Sequence, residues 1–390
     1  MMPFMIRKVG KFLSSLRLTV SLLGYSMVLI FIATVSQVHL GIHEVVEQFF
    51  RSWIAWWDVF PGEKEFPIPL PGGSLLGGLL IVNLLAAHGS RFQLKKGKAG
   101  MLLIHSGILL MLISEIFTGL LAKEAQMTVN EGQIVNYSTF PREVELAVIE
   151  TTGDGMETVH AIPQSRLKDG VAYPFDGFTL RIDRHFENAE IVEEKEAGEK
   201  FDPMRATDGS GIGYAVRRKP RETSMDRRDL AASFVSVITD GAEPLKRLLL
   251  SNVMIDAQSI STGGKNWKIS IREARLYHSF SIKLLDFSHD RYLGTDVPKN
   301  FSSKIRLLNP ATGEDREDLI YMNHPLRYQG LTIYQAGFAN NDTTAILQVV
   351  KNPAWTLPYI SCVMVTVGLL WVFCSHLFKA IARRKTILPP

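Results

Sequence analysis

Cysteine is scarce in this sequence, and none lies in the segments that would form a soluble domain. Only two cysteines occur among 390 residues, Cys362 and Cys374, and both lie inside one long apolar run. The rest of the chain therefore has no thiol that could form a disulfide or ligate a metal. The C-x-x-C-H motif that attaches haem covalently is also missing.

The signatures of several common enzyme classes are missing too. The sequence contains no Gly-rich phosphate loop, no G-x-S-x-G serine elbow and no H-E-x-x-H zinc motif. These absences argue against the usual nucleotide-binding proteins, serine hydrolases and zinc proteases. We identify no catalytic residue from the sequence, and we expect no nucleic-acid partner.

Acidic residues are missing from three basic clusters that flank long apolar runs. The apolar runs are Leu18 to Val38, about Ser74 to Ala87, Gly100 to Ala122, and Leu357 to Phe378. A hydrocarbon core of about 30 Å requires roughly 20 apolar residues, so three runs are long enough and the second is short. The basic clusters are Arg7, Lys8, Lys11 and Arg17; Arg91, Lys95, Lys96 and Lys98; and Lys379, Arg383, Arg384 and Lys385. Only four spans place all three clusters on the cytoplasmic side, as the positive-inside rule expects.

These signals predict a multi-pass protein of the bacterial cytoplasmic (inner) membrane with both termini in the cytoplasm. We expect a three-helix transmembrane region over residues 1–122, an exported domain over residues 123–354, and a fourth helix with a basic tail over residues 355–390. The first run lacks a small-residue cleavage site, which favours an anchor over a cleaved signal. Without the twelve clustered bases, 31 Lys and Arg oppose 39 Asp and Glu, a net charge of about −8 for the remainder.

The segment between the first two runs is rich in aromatic residues. Tryptophan and phenylalanine recur at helical spacing from Ile42 to Phe60. The pattern predicts an amphipathic helix over about 42–60 in the outer membrane interface, where tryptophan is favoured. The proline- and glycine-rich stretch that follows predicts a turn back toward the membrane.

The exported segment alternates between apolar and polar residues in short runs. Eight such runs are VELAVIE, FTLRIDRHF, ASFVSVI, WKISIREARLY, FSIKLLDF, SKIRLLN, LTIYQAGF and TAILQVV. With turn residues between several of them, they predict a large, mainly antiparallel β domain, for which a helical core is the weaker alternative. The predicted fold class is thus membrane α plus β: four transmembrane helices with the β domain inserted between helices three and four. Residues 187–229 are dense in charge, which predicts a mobile or partly disordered surface insertion.

Three histidines lie near the predicted inner face of the membrane. His105 follows the basic start of the third run, His88 closes the second, and His376 lies near the end of the fourth. Neutral imidazole is a common ligand of haem iron, so these residues are candidate cofactor ligands, with His105 as the candidate axial ligand. An ionisable residue within a span usually faces a protein interior or a cavity. A purely interfacial role for His88 and His376, and a hydrogen-bonded structural role for His105, remain the alternatives.

The other polar candidates are weaker. Glu115 suits helix packing as well as chemistry, and His39 and His43 form too small a set for a metal site. The remaining histidines have no ligand spacing among them: His160, His185, His278, His289 and His324.

Two stretches carry a resemblance to a known family. The opening LSSLRLTVSLLGYSMVLIFIATVSQ resembles the first helix of the ResB family of System II cytochrome c biogenesis proteins. The stretch from Phe280 to Phe338, continuing into LQVVKNPAWTLPYISC, is similar to the end of that family's exported domain and its entry into the last helix. The layout of three helices, a large exported domain and one helix is also similar.

The resemblance implies a role in cytochrome c maturation. It implies that the chain, with a CcsA-type membrane protein, delivers or holds haem b transiently for attachment to exported apocytochrome c. By position, His105 resembles the family's transmembrane haem-ligand histidine. A ResA-type thiol reductant is an implied partner, and the chain would be a non-catalytic or co-catalytic subunit of a cytochrome c synthase. Two alternatives stay open: a membrane b-type haem electron-transfer subunit, and a haem-free membrane-anchored scaffold or sensor.

Overall fold

The computed structural model describes residues 2–58, 67–91, 98–151, 157–222, 228–239, 246–254, 256–262, 264–292, 294, 298–339 and 343–387. The chain divides into two compact units. One contains Met1–Lys123 and Asn352–Pro390, and the other contains Glu124–Glu222 and Asp226–Lys351. The first unit is helical and the second is β-rich.

Among the described residues the helical unit contains five α-helices, and the four predicted apolar runs lie in them except for Ala122 at the end of the third. The helices are α1 (Met2–Leu13), α2 (Leu16–Val45), α3 (Gly73–Arg91), α4 (Ala99–Leu121) and α5 (Leu357–Ile387). Within the part of the chain that the structure describes, three segments are long and apolar enough to cross a membrane: Leu16–Ile42, Ala99–Leu121 and Leu357–Arg383. The apolar part of α3, Gly73–Gly89, is shorter.

The aromatic segment after the first run is not one helix. Helix α2 bends at Gly41, where φ is 78°, and a π-helical turn, Val46–Phe50, follows it. Ile54–Trp57 is then a strand, β1, which pairs antiparallel with β2 (Ile68–Pro71). The helix predicted over about 42–60 is therefore wrong for residues 54–57.

The composition of β1 and β2 explains this difference. Ala55 is fully buried whereas Ile54 and Trp56 on either side of it are exposed, which is the two-residue period of a strand. Pro69 and Pro71 hold β2 extended, and a two-stranded sheet has room for proline at its edges. The bulky aromatic side chains, which suggested a helix face, also favour a strand.

Helices α4 and α5 pack closely through small residues. Gly100, Gly107 and Ser114 recur every seven residues on α4, and all three are buried. The Ser361 hydroxyl of α5 donates to the carbonyl oxygen of Gly107 at 2.6 Å. Small side chains let helix backbones approach, as is common in membrane helix pairs. This contact fixes how α4 is rotated about its axis.

The side-chain amide of Asn83 links helix α3 to the start of α2. Asn83 is buried, and its Nδ2 donates to the carbonyl oxygens of Leu13 at 2.6 Å and Ser15 at 3.3 Å. The Thr19 hydroxyl donates to Asn83 Oδ1 at 2.7 Å. Each polar atom of the amide thus has a partner inside an apolar helix bundle, where a lone amide would be costly.

The β-rich unit contains sixteen strands among the described residues. They are β3 (Lys123–Asn130), β4 (Ile134–Thr151), β5 (Glu157–Pro163), β6 (Ala172–Phe175), β7 (Phe178–Phe186), β8 (Ala189–Glu193), β9 (Tyr214–Arg218), β10 (Ala232–Ile238), β11 (Lys246–Ser251), β12 (Gln258–Thr262), β13 (Lys265–Arg291), β14 (Pro298–Asn309), β15 (Glu314–Tyr321), β16 (Leu326–Tyr328), β17 (Leu331–Ala339) and β18 (Thr344–Lys351). Eight of them form a continuous sheet in the order β15-β14-β13-β4-β3-β18-β17-β16, with β12 added to β13 and β5 added to β4. A second sheet has the order β11-β10-β7-β6.

The longest strand, β13, connects two hydrophobic cores. Its first half contributes Trp267 and Ile269 to a core shared with the four-stranded sheet. Its second half contributes Phe280 and Ile282 to a core with β3, β14, β17 and β18. The eight predicted runs all lie in strands, seven in number, and the large antiparallel β domain is confirmed. WKISIREARLY and FSIKLLDF are parts of this one strand, because no glycine or proline separates them.

The charged segment over residues 187–229 has regular structure where it is described, so the prediction that it is mobile is wrong there. Strands β8 and β9 pair within it, and Ala189 and Val216 join a small core with Phe234. Its charges largely compensate one another, as in the ion pair of Arg205 with Glu194 at 2.8 Å. A few buried apolar residues and paired charges are enough to order a segment whose composition is otherwise polar.

Candidate functional site

His105 lies on a face of α4 that does not contact α5. It is the seventh residue of the helix, about 9 Å from its start at 1.5 Å per residue. At about 100° per residue, His105 is rotated roughly 140° from Gly100, which packs on α5. Its side chain is half-buried. The small-residue contact with α5 therefore turns His105 toward α3.

His88, near the end of α3, meets His105. The centroids of the two imidazole rings are 5.1 Å apart, and the ring planes are inclined by 77°. His88 Nδ1 lies 2.8 Å from the carbonyl oxygen of Leu84. Because a carbonyl oxygen only accepts, this bond assigns the proton to Nδ1 and leaves the lone pair on Nε2. An imidazole whose other nitrogen is bonded in this way is the usual arrangement of a metal-ligating histidine.

His376 is not part of this pair. Helices α4 and α5 run antiparallel, because Gly100 lies against Gly368 and Gly107 lies against Ser361. His376 is eight residues beyond Gly368, about 12 Å along the axis and away from His105. With the five residues from Gly100 to His105, the axial offset is about 20 Å. The structure therefore brings together two of the three predicted histidines.

The remaining candidates have separate environments. Glu115 and His39 are exposed on their helices, and the side chain of His43 lies outside the described residues. In the β-rich unit, His160 lies against Phe175 at 5.5 Å between ring centroids, and His324 stacks on Tyr321 at 4.6 Å. Within the ranges given above, no group of three or more His, Cys, Asp and Glu residues is arranged to hold a metal ion.

Two further histidines of the β-rich unit hydrogen-bond with serines. His185 Nδ1 lies 2.8 Å from the Ser233 hydroxyl, and His278 Nε2 lies 2.9 Å from the Ser138 hydroxyl. Burial lowers the pKa of each imidazole below its ordinary value, because the charged form would lose its hydration. His289 lies against Phe338, with ring centroids 4.4 Å apart.

The donor set formed by His88 and His105 fits haem iron. Two neutral imidazoles in apolar surroundings are a common axial ligand pair for iron porphyrin. The two rings lie close together, with centroids 5.1 Å apart, and His88 and His105 are the residues that would hold the iron.

Asn83 is a candidate functional residue that the pattern of histidines in the sequence does not reveal. It lies five residues before His88 on α3, and its hydrogen bonds fix that helix against the junction of α1 and α2. Its signal in the sequence is an amide inside an apolar run, a position that usually faces protein rather than lipid. Asn83 would position His88 without touching a ligand.

Comparison with known proteins identifies part of the β-rich unit. Residues 251–346, from the end of β11 into β18, match the ResB-like family. The chain contains a ResB-like region. It covers most of the second core of the long sheet and includes the whole stretch from Phe280 to Phe338, so the resemblance expected from that stretch is confirmed. The His88–His105 pair lies outside the ResB-like region.

Several named relatives share sequence with this chain. Protein NrfI of Wolinella succinogenes is 29% identical over 92 residues, which is 24% of this chain and 10% of NrfI. Cytochrome c biogenesis protein CcsB of Prochlorococcus marinus (strain SARG) is 38% identical over 78 residues, 20% of this chain and 18% of that protein. CcsB of Synechococcus sp. (strain WH7803) is 45% identical over 60 residues, 15% of this chain and 13% of that protein. Each match thus spans less than a fifth of the relative's length.

Proposed function

We propose that this chain is a cytochrome c maturation subunit that holds haem between His88 and His105 in the cytoplasmic membrane. The observation that carries the proposal is the contact of the two imidazoles, 5.1 Å apart, within apolar helices of a chain that has a ResB-like region. The names of the CcsB relatives, which are cytochrome c biogenesis proteins, support the process in which it acts.

The residues around the pair have distinct roles in this proposal. His88 offers Nε2, because its Nδ1 proton is engaged by the Leu84 carbonyl. His105 offers the second nitrogen, and the packing of α4 on α5 keeps it directed toward α3. Asn83 holds α3 in register with α2. Haem, when bound, would supply an iron that these imidazole nitrogens could ligate.

The charge pattern supports the proposed topology, and the resemblance to the ResB family together with the absence of exported thiols supports the proposed partners. In the proposed arrangement, α2, α3, α4 and α5 all span the membrane, and residues 123–354 lie outside. A CcsA-type protein would share the haem path, and apocytochrome c would be served on the outer side. Because the β-rich unit has no cysteine, a ResA-type protein would have to keep the apocytochrome thiols reduced.

Substitution of the two histidines tests the proposal. We expect His105→Ala, and independently His88→Ala, to lower the haem that copurifies with the full chain and its partner, and to reduce haem-stained c-type cytochromes in membranes. Glu115→Ala is the matched control, since Glu115 is exposed on the same helix as His105. Imidazole added to cells carrying His105→Ala should restore part of the loss if the ring acts as a ligand. Unchanged haem content in both histidine variants would reject the site.

The same pair also suits a b-type electron carrier, since two histidines from neighbouring helices commonly hold such a haem. The two roles differ in how firmly haem is retained. A carrier keeps its haem in the isolated chain, whereas a maturation subunit releases it without its partner. An optical spectrum of the purified chain, together with a haem stain of a deletion strain, separates these roles. A deletion strain with normal c-type cytochromes would instead favour a haem-free scaffold.

A further inference from the structure

A polar cleft of about 270 Å³ lies on one face of the long sheet of the β-rich unit. On β3, Gln126 and Thr128 line it, and they alternate with the buried residues Ala125, Met127 and Val129. Because successive side chains of a strand point to opposite faces, the cleft is on the side of β3 away from its core. All the residues that line the cleft belong to the β-rich unit.

Interruptions in the strand pairing coincide with the cleft. Within the described residues, β3 pairs in register with β4 at Gln126 and Thr139. Thr139 is in turn paired with Arg275 of β13, so three cleft residues form one row across three strands. The β4–β13 register then shifts after Ala274, where β4 has three extra residues, 141–143. Such a bulge bends a sheet and redirects its side chains.

Two arginines of the cleft differ in how their charge is compensated. Arg272 Nε donates to Glu145 at 2.9 Å, and both side chains are largely buried, with 15% and 7% of their area exposed. Arg275 has its guanidinium over the Tyr137 ring, 4.1 Å from the centroid. Among the residues that the structure describes, no carboxylate lies within ion-pair distance of the Arg275 guanidinium.

The charges that surround Arg275 limit the ligand to a single negative charge. Glu273, which also lines the cleft, is paired with Arg228. Glu145 is paired with Arg272, and its second oxygen accepts from the backbone nitrogen of Arg275 at 3.3 Å. Of the three arginines, Arg275 is then the one whose charge neither of these two carboxylates compensates. A planar carboxylate matches its fork of donors, while a dianion would meet the two nearby carboxylates.

We propose that this cleft binds a carboxylate group through Arg275, with Tyr137 beside it and the Thr128 hydroxyl as a further hydrogen-bond donor. The volume admits a short carboxylate-bearing arm and is below the range of pockets that enclose a whole drug-sized molecule. The arm could belong to an acidic side chain of an exported polypeptide or to a propionate of a porphyrin.

Fluorine NMR on the full chain in detergent tests the proposal with trifluorobutyrate as the probe and trifluorobutyramide as its uncharged control. We expect the carboxylate signal to broaden on adding protein and the amide signal to stay sharp. Arg275→Gln should weaken binding by about tenfold or more, as loss of a charged hydrogen bond does. Arg275→Lys should retain part of the affinity, and Arg316→Gln, an exposed arginine of β15, should change nothing.

Competition identifies the source of the carboxylate. A blocked Ala-Glu-Ala peptide that displaces the probe, where Ala-Gln-Ala does not, assigns the arm to a polypeptide. Mesoporphyrin that displaces it, where its dimethyl ester does not, assigns the arm to a porphyrin. Equal binding of acid and amide, undiminished binding by a folded Arg275→Gln variant, or stronger binding of inorganic phosphate would each overturn the proposal.

Discussion

At the scale of single residues, the sequence identifies His105 more readily than its neighbours. An ionisable ring inside an apolar run is costly, so its presence points to a protein-facing position. The sequence also identifies His88 as a candidate, but only because it lies, like His105, near the predicted inner face of the membrane. The contact between the two rings depends on how α3 and α4 are rotated about their axes. The sequence of a run that is apolar on all sides does not indicate that rotation. The glycine face of α4 and the Asn83 amide set the rotation, and they are visible only once the helices are packed.

His185 makes the β-rich unit sensitive to acid. Its ring is buried, which lowers the pKa of the imidazole; the Glu187 and Asp169 carboxylates oppose this shift and Arg218 adds to it. The folded state therefore keeps the ring neutral at a pH where the unfolded chain, with an ordinary pKa near 6.5, already takes up a proton. Stability is full above about pH 6.5 and falls as the pH drops from there toward the lowered pKa. His278 is shifted in the same direction and adds to the loss.

A comparison of thermal midpoints between about pH 7.5 and about pH 5 measures this effect. We expect His185→Asn, whose amide can still hydrogen-bond with Ser233, to have a smaller drop in midpoint than the parent chain. His324→Asn is the control, because that ring is exposed on Tyr321 and its removal should leave the drop unchanged. An equal drop in the parent chain and in His185→Asn would show that His185 does not contribute.

At the scale of secondary structure, the pattern of apolar residues predicts strands well and chain reversals less well. The eight predicted runs all lie in strands, some of which bury alternate residues, as β7 does from Phe178 to Ile182, and some of which bury consecutive residues on both faces, as β10 does. The segment at Ile54–Trp57 is misjudged, because a cluster of aromatic residues fits a helix face and a short strand equally, and its partner Ile68–Pro71 is remote in sequence. The segment over residues 187–229 is misjudged because composition counts its charges without showing that they pair with one another.

The contact between α4 and α5 gives a prediction at this scale. An added Cβ at Gly107 would lie 2.7 Å from Val365 Cγ2 and 3.0 Å from the Ser361 carbonyl oxygen, whereas an added Cβ at Gly119 meets nothing within 4 Å. We expect Gly107→Ala to destabilise the helical unit by about 1–3 kcal/mol, as overpacking does. Gly119→Ala should be neutral or slightly stabilising, because alanine favours a helix.

Tryptophan fluorescence during thermal unfolding in detergent includes the signal of Trp371 of α5, which lies against Gly100, and the difference between the two glycine variants isolates the effect of this contact. The Gly107→Ala variant should unfold at a lower temperature, and its histidine pair should lose haem more readily under the proposed function. If the two glycine variants unfold at the same temperature, the close approach of α4 to α5 does not stabilise the unit.

At the scale of the whole molecule, the sequence predicts the division into a helical part and a β-rich part. Long uncharged runs are suited to a lipid bilayer, whereas short alternating runs are suited to a domain in water. The boundaries near residues 123 and 352 can therefore be predicted from composition. The number of spans is harder to predict. Three helices satisfy the length of a bilayer, and the apolar part of α3 is shorter than the others. The argument for a fourth span rests on the basic clusters rather than on α3 itself.

The position of the β1–β2 sheet decides between three and four spans. If α3 crosses the membrane and residues 123–354 are outside, Trp53 lies on the outer side and Lys11 on the inner side; if α3 does not cross, both positions are exchanged. In a chain with Cys362 and Cys374 replaced by serine, we expect Trp53→Cys to react with an impermeant maleimide in intact spheroplasts, and Lys11→Cys to react only after the membrane is opened. Asp176→Cys, at an exposed position of the β-rich unit, should react in intact spheroplasts under either arrangement. If instead Lys11→Cys reacts in intact spheroplasts and Trp53→Cys reacts only after the membrane is opened, α3 lies on the cytoplasmic side. The basic cluster at residues 91–98 would then be held in the cytoplasm by α4 alone.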